Sequence, residues 1–112
     1  MNEAVYERLK DAARQNELVF YGEIAQIAHI NLNLDAGRGA LGRLLGEISR
    51  REHESGRPLL SVVAVNKDTQ FPSQGFFDLA QEVGKYEGHS PTEALTFYAT
   101  ELKAAFDYWS TH

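Results

Sequence analysis

Residues 59–65, LLSVVAV, form the only strong β-forming run of the chain. The run is β-branched and nearly continuous, which predicts a central strand covered on both faces. Two weaker candidates could flank it: residues 18–20, or residues 70–71 returning as an antiparallel partner after a turn at 66–69. One strong β run in 112 residues leaves most of the core to helices.

Apolar residues recur at helical spacing through the rest of the chain. Asp35 and Ser73 are expected to cap two of the helices, and Ser90, Pro91 and Glu93 form a capping box before the last one. The length fits a single domain, 1–112, with a C-terminal helical extension. The predicted helices cover residues 3–15, 23–28, 35–55, 73–84 and 90–109.

Composition excludes several classes of function. The chain has no cysteine, so disulfides and thiolate chemistry are excluded. No apolar run approaches the roughly 18 residues of a membrane span, and no signal peptide is evident, so we expect a cytoplasmic protein without a membrane partner. The histidines, including His53, lack metal-ligand spacing, and no catalytic or phosphate-binding motif is present. We therefore expect no enzymatic activity, no metal and no cofactor.

Charge is distributed unevenly along the chain. Residues 37–67 carry six basic and three acidic side chains, a net of +3, whereas the whole chain carries −5. This uneven distribution says more about partners than the total charge does, and the positive segment indicates a local surface for an anionic partner.

Four glycines interrupt the predicted third helix: Gly37, Gly39, Gly42 and Gly46. Each glycine inside a helix costs about 1 kcal/mol relative to alanine. Spacings of three and four place the last three on one face. That bare face would either pack tightly against the second helix or let a nucleic-acid backbone approach closely.

The order helix, short strand, helix, turn, helix, hairpin matches a winged helix-turn-helix. In this interpretation the third helix is the recognition helix, and the hairpin at residues 66–69 is the wing. The expected fold is α+β and mainly helical, with a small antiparallel sheet and two C-terminal helices.

Two short motifs carry a resemblance to a known family. Tyr21-Gly22-Glu23-Ile24-Ala25 and Gly39-Ala40-Leu41-Gly42-Arg43-Leu44-Leu45 resemble the helix-turn-helix of O6-alkylguanine DNA alkyltransferases and alkyltransferase-like proteins. The resemblance implies that small residues of the third helix approach the DNA minor groove. That family places an intercalating arginine where this chain has Gly39, with Arg38 one residue away. Its proline-cysteine-histidine-arginine segment is absent, and a chain without cysteine cannot accept an alkyl group by that route.

A second resemblance covers residues 57–65 and 74–77, which are similar to a group of small bacterial domains of unknown function. It implies a bacterial, independently folded unit and names no activity.

Candidate nucleic-acid contacts follow from the positive segment. Arginine binds phosphate or guanine with two parallel hydrogen bonds, and a residue at the start of a recognition helix is well placed for this. Arg38 is the best single candidate, because no carboxylate lies four residues after it. The full candidate set is Arg38, Arg43, Arg50, Lys67 and Tyr21.

Other interpretations of these residues remain open. Arg43 could pair with Glu47, and Arg50 with Glu54, at four-residue spacing. Tyr21 could pack at the edge of the core, and a lysine in a turn is usually only solvated.

The sequence thus favours a non-enzymatic winged-helix protein that binds duplex DNA through its third helix and wing, as a regulator or an accessory in DNA processing. The alternative is a protein–protein interaction module, or an antitoxin-like inhibitor, that keeps the fold without binding nucleic acid. The acidic C-terminal third, with Phe97, Tyr98 and Trp109, supports that alternative if the aromatics are exposed.

Overall fold

A computed structural model describes all residues from Met1 to His112. The first helix, α1, spans Glu3–Arg14, as predicted within one residue. Its N-cap is Asn2, whose side chain accepts a hydrogen bond from the Val5 amide. Its buried face is the predicted one: Val5, Leu9, Ala12 and Ala13.

Two helices follow, α2 at Tyr21–Ala28 and α3 at Asp35–Glu54, so the predicted pair separated by a turn is confirmed. His29 ends α2 in the left-handed conformation, with φ of 58°. The expected cap of α3 is wrong by one position: Leu34 occupies the N-cap without a side-chain hydrogen bond, and Asp35 is the first helical residue.

The sheet differs from the prediction. Its two strands, β1 at Val19–Phe20 and β2 at Ala64–Val65, pair in parallel, with Val19 opposite Ala64 and Phe20 opposite Val65. Because the small antiparallel sheet is absent, the predicted winged helix-turn-helix fold is wrong.

The predicted wing is a loop rather than a hairpin. The Asn66 amide donates to the Phe71 carbonyl at 3.0 Å, and the Gln70 amide donates to the Asn66 carbonyl at 2.7 Å. Gln70 has φ of 53°, which turns the chain out of a strand path. The segment therefore closes on itself, and residues 70–71 form no strand.

Most of the predicted central strand is a 3-10 helix, Leu60–Val63. Buried side chains, rather than a second strand, accept hydrogen bonds from backbone amides of this segment. The Leu59 amide donates to Glu101 Oε2 at 2.8 Å, and the Ser61 amide donates to Ser49 Oγ at 3.0 Å. The predicted burial is nevertheless confirmed, because every residue from 59 to 65 is buried.

Helix α4 spans Gln74–Glu82 and α5 spans Pro91–Trp109. The capping box before α5 is confirmed in part: Ser90 Oγ accepts from the Glu93 amide, and the Glu93 carboxylate accepts from the Gly88 and His89 amides rather than from the Ser90 amide. Helices α1, α3 and α5 pack around the 3-10 helix, which lies at the centre of the core. No helix has both the length and the apolar composition needed to cross a bilayer.

Candidate nucleic-acid interface

A groove runs beside the first half of α3, between the start of α2 and the turn after β2. Three predicted contact residues line it: Tyr21, Arg38 and Lys67. Leu41 and Gly42 of α3 also line the groove, which encloses about 430 Å³. Residues far apart in the chain are therefore brought to one concave surface.

Arg38 is half-exposed and not free. Its guanidinium pairs with the Asp35 carboxylate and donates to the Leu32 carbonyl at 2.8 Å. The sequence interpretation considered only a carboxylate four residues later and so missed the one three residues earlier. These contacts hold Arg38 at the start of α3, where it lines the groove.

Tyr21, at the start of α2, is hydrogen-bonded to the N-cap residue of α4. Its hydroxyl accepts a hydrogen bond from the Ser73 amide at 2.9 Å and contacts Ser73 Oγ at 3.4 Å. Ser73 occupies the N-cap of α4 as predicted, but its side chain makes no capping hydrogen bond. The ring of Tyr21 also packs against the core, so the core-edge interpretation of this residue is confirmed.

Arg43 and Lys67 are the unpaired cations of the candidate set. Neither side chain has a carboxylate within the 4.0 Å of a salt bridge, so the alternative in which Arg43 pairs with Glu47 is wrong. Both residues are exposed. Their charges are therefore available to an anionic partner without breaking a contact within the protein.

Arg50 lies apart from this groove, in a cleft between α3 and α4. It pairs with Glu82 and not with Glu54: Nε lies 2.5 Å from Oε2, and Nη2 lies 3.0 Å from Oε1. Hydrogen bonds from Arg50 lower the pKa of the Glu82 carboxyl. The structure thus gives the fifth candidate a carboxylate from another helix, which local spacing could not reveal.

The glycines of α3 do not form the close contact with α2 that one interpretation of the sequence predicted. A Cβ at Gly42 would meet no atom within 4 Å, and at Gly39 or Gly46 it would approach only an arginine side chain of α3. The prediction that this face packs closely against α2 is therefore wrong. Gly37 is different, because its Cβ would lie 1.8 Å from the Asn31 carbonyl oxygen.

We expect Gly42→Ala to stabilise the protein by up to about 1 kcal/mol, because it removes a helix-interior glycine without a clash. Thermal unfolding checks this, with Gly37→Ala as the matched control. The control should lower the melting temperature, because its methyl group collides with backbone. A destabilised Gly42→Ala protein would show that the glycine face is occupied.

Another cation of the positive segment, Arg57, is structural. It donates from Nε to Glu52 Oε2 at 2.6 Å and from Nη2 to Oε1 at 3.0 Å. The Tyr6 hydroxyl donates to the same carboxylate at 2.7 Å. Burial, with the Glu52 hydrogen bond and charge, raises the pKa of Tyr6 to about 12. The sequence pattern assigned no role to Glu52, although its side chain is fully buried.

Comparisons of the chain with protein-family profiles, with curated proteins and with solved structures found no match. No group of three or more histidine, aspartate or glutamate side chains is arranged to hold a metal ion. The features that bear on function are therefore the groove, its charges and the open space at Gly42 of α3.

Proposed function

We propose that this protein binds duplex DNA through the groove beside α3, as a non-enzymatic cytoplasmic regulator or accessory in DNA processing. The observation that carries the proposal is the convergence of Tyr21, Arg38 and Lys67 on one groove with Gly42. The two motifs that resemble the alkyltransferase helix-turn-helix, residues 21–25 and 39–45, contribute to this same groove, which supports the proposal.

The contacts would be made mainly to phosphate. Lys67 presents an unpaired charge in the groove, and Arg38 can exchange its Asp35 partner for a phosphate oxygen. Arg43 presents a second unpaired charge on α3, outside the groove lining. At Gly42 a Cβ would meet no atom within 4 Å, and this open space lets a sugar–phosphate backbone approach the helix closely. Such contacts position DNA without reading its sequence.

Binding should be weak. The net charge of −5 gives an unfavourable long-range field toward DNA, and only about three to five cationic contacts are available. We expect micromolar or poorer affinity at physiological salt and a shallow salt dependence, near −0.9 per phosphate neutralised.

The protein-interaction alternative has less support. Tyr98 and Trp109 are buried, and Phe97 stacks on Phe76 with ring centroids 6.0 Å apart. The exposed large apolar residues Leu34 and Leu95 lie on different elements, at the start of α3 and on α5. The C-terminal helix therefore offers no continuous aromatic face to a partner.

The test is fluorescence anisotropy with a short labelled duplex over a range of salt concentrations. We expect Lys67→Ala and Arg38→Ala each to weaken binding about two- to fivefold at low salt and to make the salt slope shallower by about 0.9. Lys103→Ala is the matched control, because it removes one exposed charge from α5, outside the groove.

Wild-type protein that binds no duplex at low salt would overturn the proposal. Equal losses in Lys67→Ala and Lys103→Ala would show that net charge, and not the groove, determines binding.

A further inference from the structure

A row of four residues, each four positions after the last, runs along α3: Arg38, Gly42, Gly46 and Arg50. Residues four apart are neighbours on the helix surface, and at 3.6 residues per turn the row winds around the helix by about 40° at each step. Twelve residues of helix span about 18 Å, the axial length of roughly five nucleotides of one DNA strand. An arginine thus stands at each end of this strip, in which Gly42 is exposed and Gly46 is buried beside the Arg50 guanidinium.

The two concave surfaces along this strip are continuous. The groove that holds Arg38 and the cleft that holds Arg50 share four lining residues: Tyr21, Gly42, Leu45 and Ser73. A backbone that follows the groove beyond Gly42 therefore reaches the cleft between α3 and α4. A Cβ at Gly75, on the α4 side, would contact only Ser73 Oγ, which leaves that wall open as well.

Glu82 occupies the position that a phosphate would take on Arg50. Its two carboxylate oxygens accept from Nε and Nη2 of the guanidinium, the paired geometry by which arginine also binds phosphate. Both side chains are about half exposed, so the pair is open to solvent and to competition by another anion.

Resting on the proposed function, we propose that Arg50 is a latent phosphate contact for DNA and that Glu82 blocks it by intramolecular competition. A DNA strand held in the groove reaches Arg50 only if a phosphate displaces the Glu82 carboxylate from the guanidinium. The Glu82 carboxylate then remains unpaired beside the strand, so the exchange weakens binding. Glu82 thereby limits the affinity and the length of DNA that the surface holds.

The experiment compares Glu82→Gln with Asp107→Asn by anisotropy on the same labelled duplex. Both substitutions remove one acidic charge and release one cation from an exposed ion pair, but Asp107 pairs with Lys103 on α5. We expect Glu82→Gln to bind about two- to fivefold more tightly than Asp107→Asn, with a salt slope steeper by about 0.9.

If Glu82 acts by blocking Arg50, the tighter DNA binding of Glu82→Gln must depend on Arg50. We expect Arg50→Ala to change binding less than twofold in the wild type and to abolish the gain in the Glu82→Gln background, which a double-mutant cycle measures. If the wild type binds and Glu82→Gln behaves like Asp107→Asn, this inference fails and the proposed function stands. If no variant binds duplex at low salt, both fail.

Discussion

Val63→Asp is expected to abolish cooperative folding. Val63 is fully buried at the end of the 3-10 helix, within the core formed by α1, α3 and α5. An ionised carboxylate there has no cationic partner, and the effective cost of such burial is several kcal/mol. A domain of this size has about 5–15 kcal/mol of stability in total. Circular dichroism and urea unfolding measure the loss.

The control for this position is Val63→Ala, which leaves only a small cavity. It should cost about 2 kcal/mol and retain a cooperative transition. A soluble Val63→Asp protein with a cooperative unfolding transition would show that this part of the chain is less enclosed than the structure has it.

Glu52→Ala is expected to destabilise the protein by about 3 kcal/mol. The substitution removes the acceptor of both Arg57 hydrogen bonds and of the Tyr6 hydroxyl. Removing one partner of a buried ion pair typically costs about 3–5 kcal/mol. The lower end applies because the Arg57 side chain keeps 25% exposure and can be partly hydrated.

Glu54→Ala is the matched control, since Glu54 is an exposed glutamate of the same helix without an ion-pair partner. Its free energy of unfolding should change by no more than about 0.5 kcal/mol. The two variants are compared by urea unfolding. Equal stability of Glu52→Ala and Glu54→Ala would mean that the buried carboxylate contributes nothing to the fold.

Part of the candidate site could be predicted from sequence. The positive segment and the glycines of α3 pointed to the surface that lines the groove, and Tyr21, Arg38 and Lys67 do meet there. The partners of the cations could not be predicted, because Glu82 reaches Arg50 from another helix. Glu52 was missed although Arg57 follows five residues later, across the end of α3.

Local sequence by itself determined the helices. Apolar spacing set the buried face of α1, and Ser90 and Glu93 set the start of α5, because capping and periodicity act within a few residues. Tertiary structure decided the path of residues 59–65. A β-branched run needs partners for its amides, and buried Ser49 and Glu101 supply them to Ser61 and Leu59, so the backbone turns into a 3-10 helix. Only β2 remains to pair, in parallel, with β1.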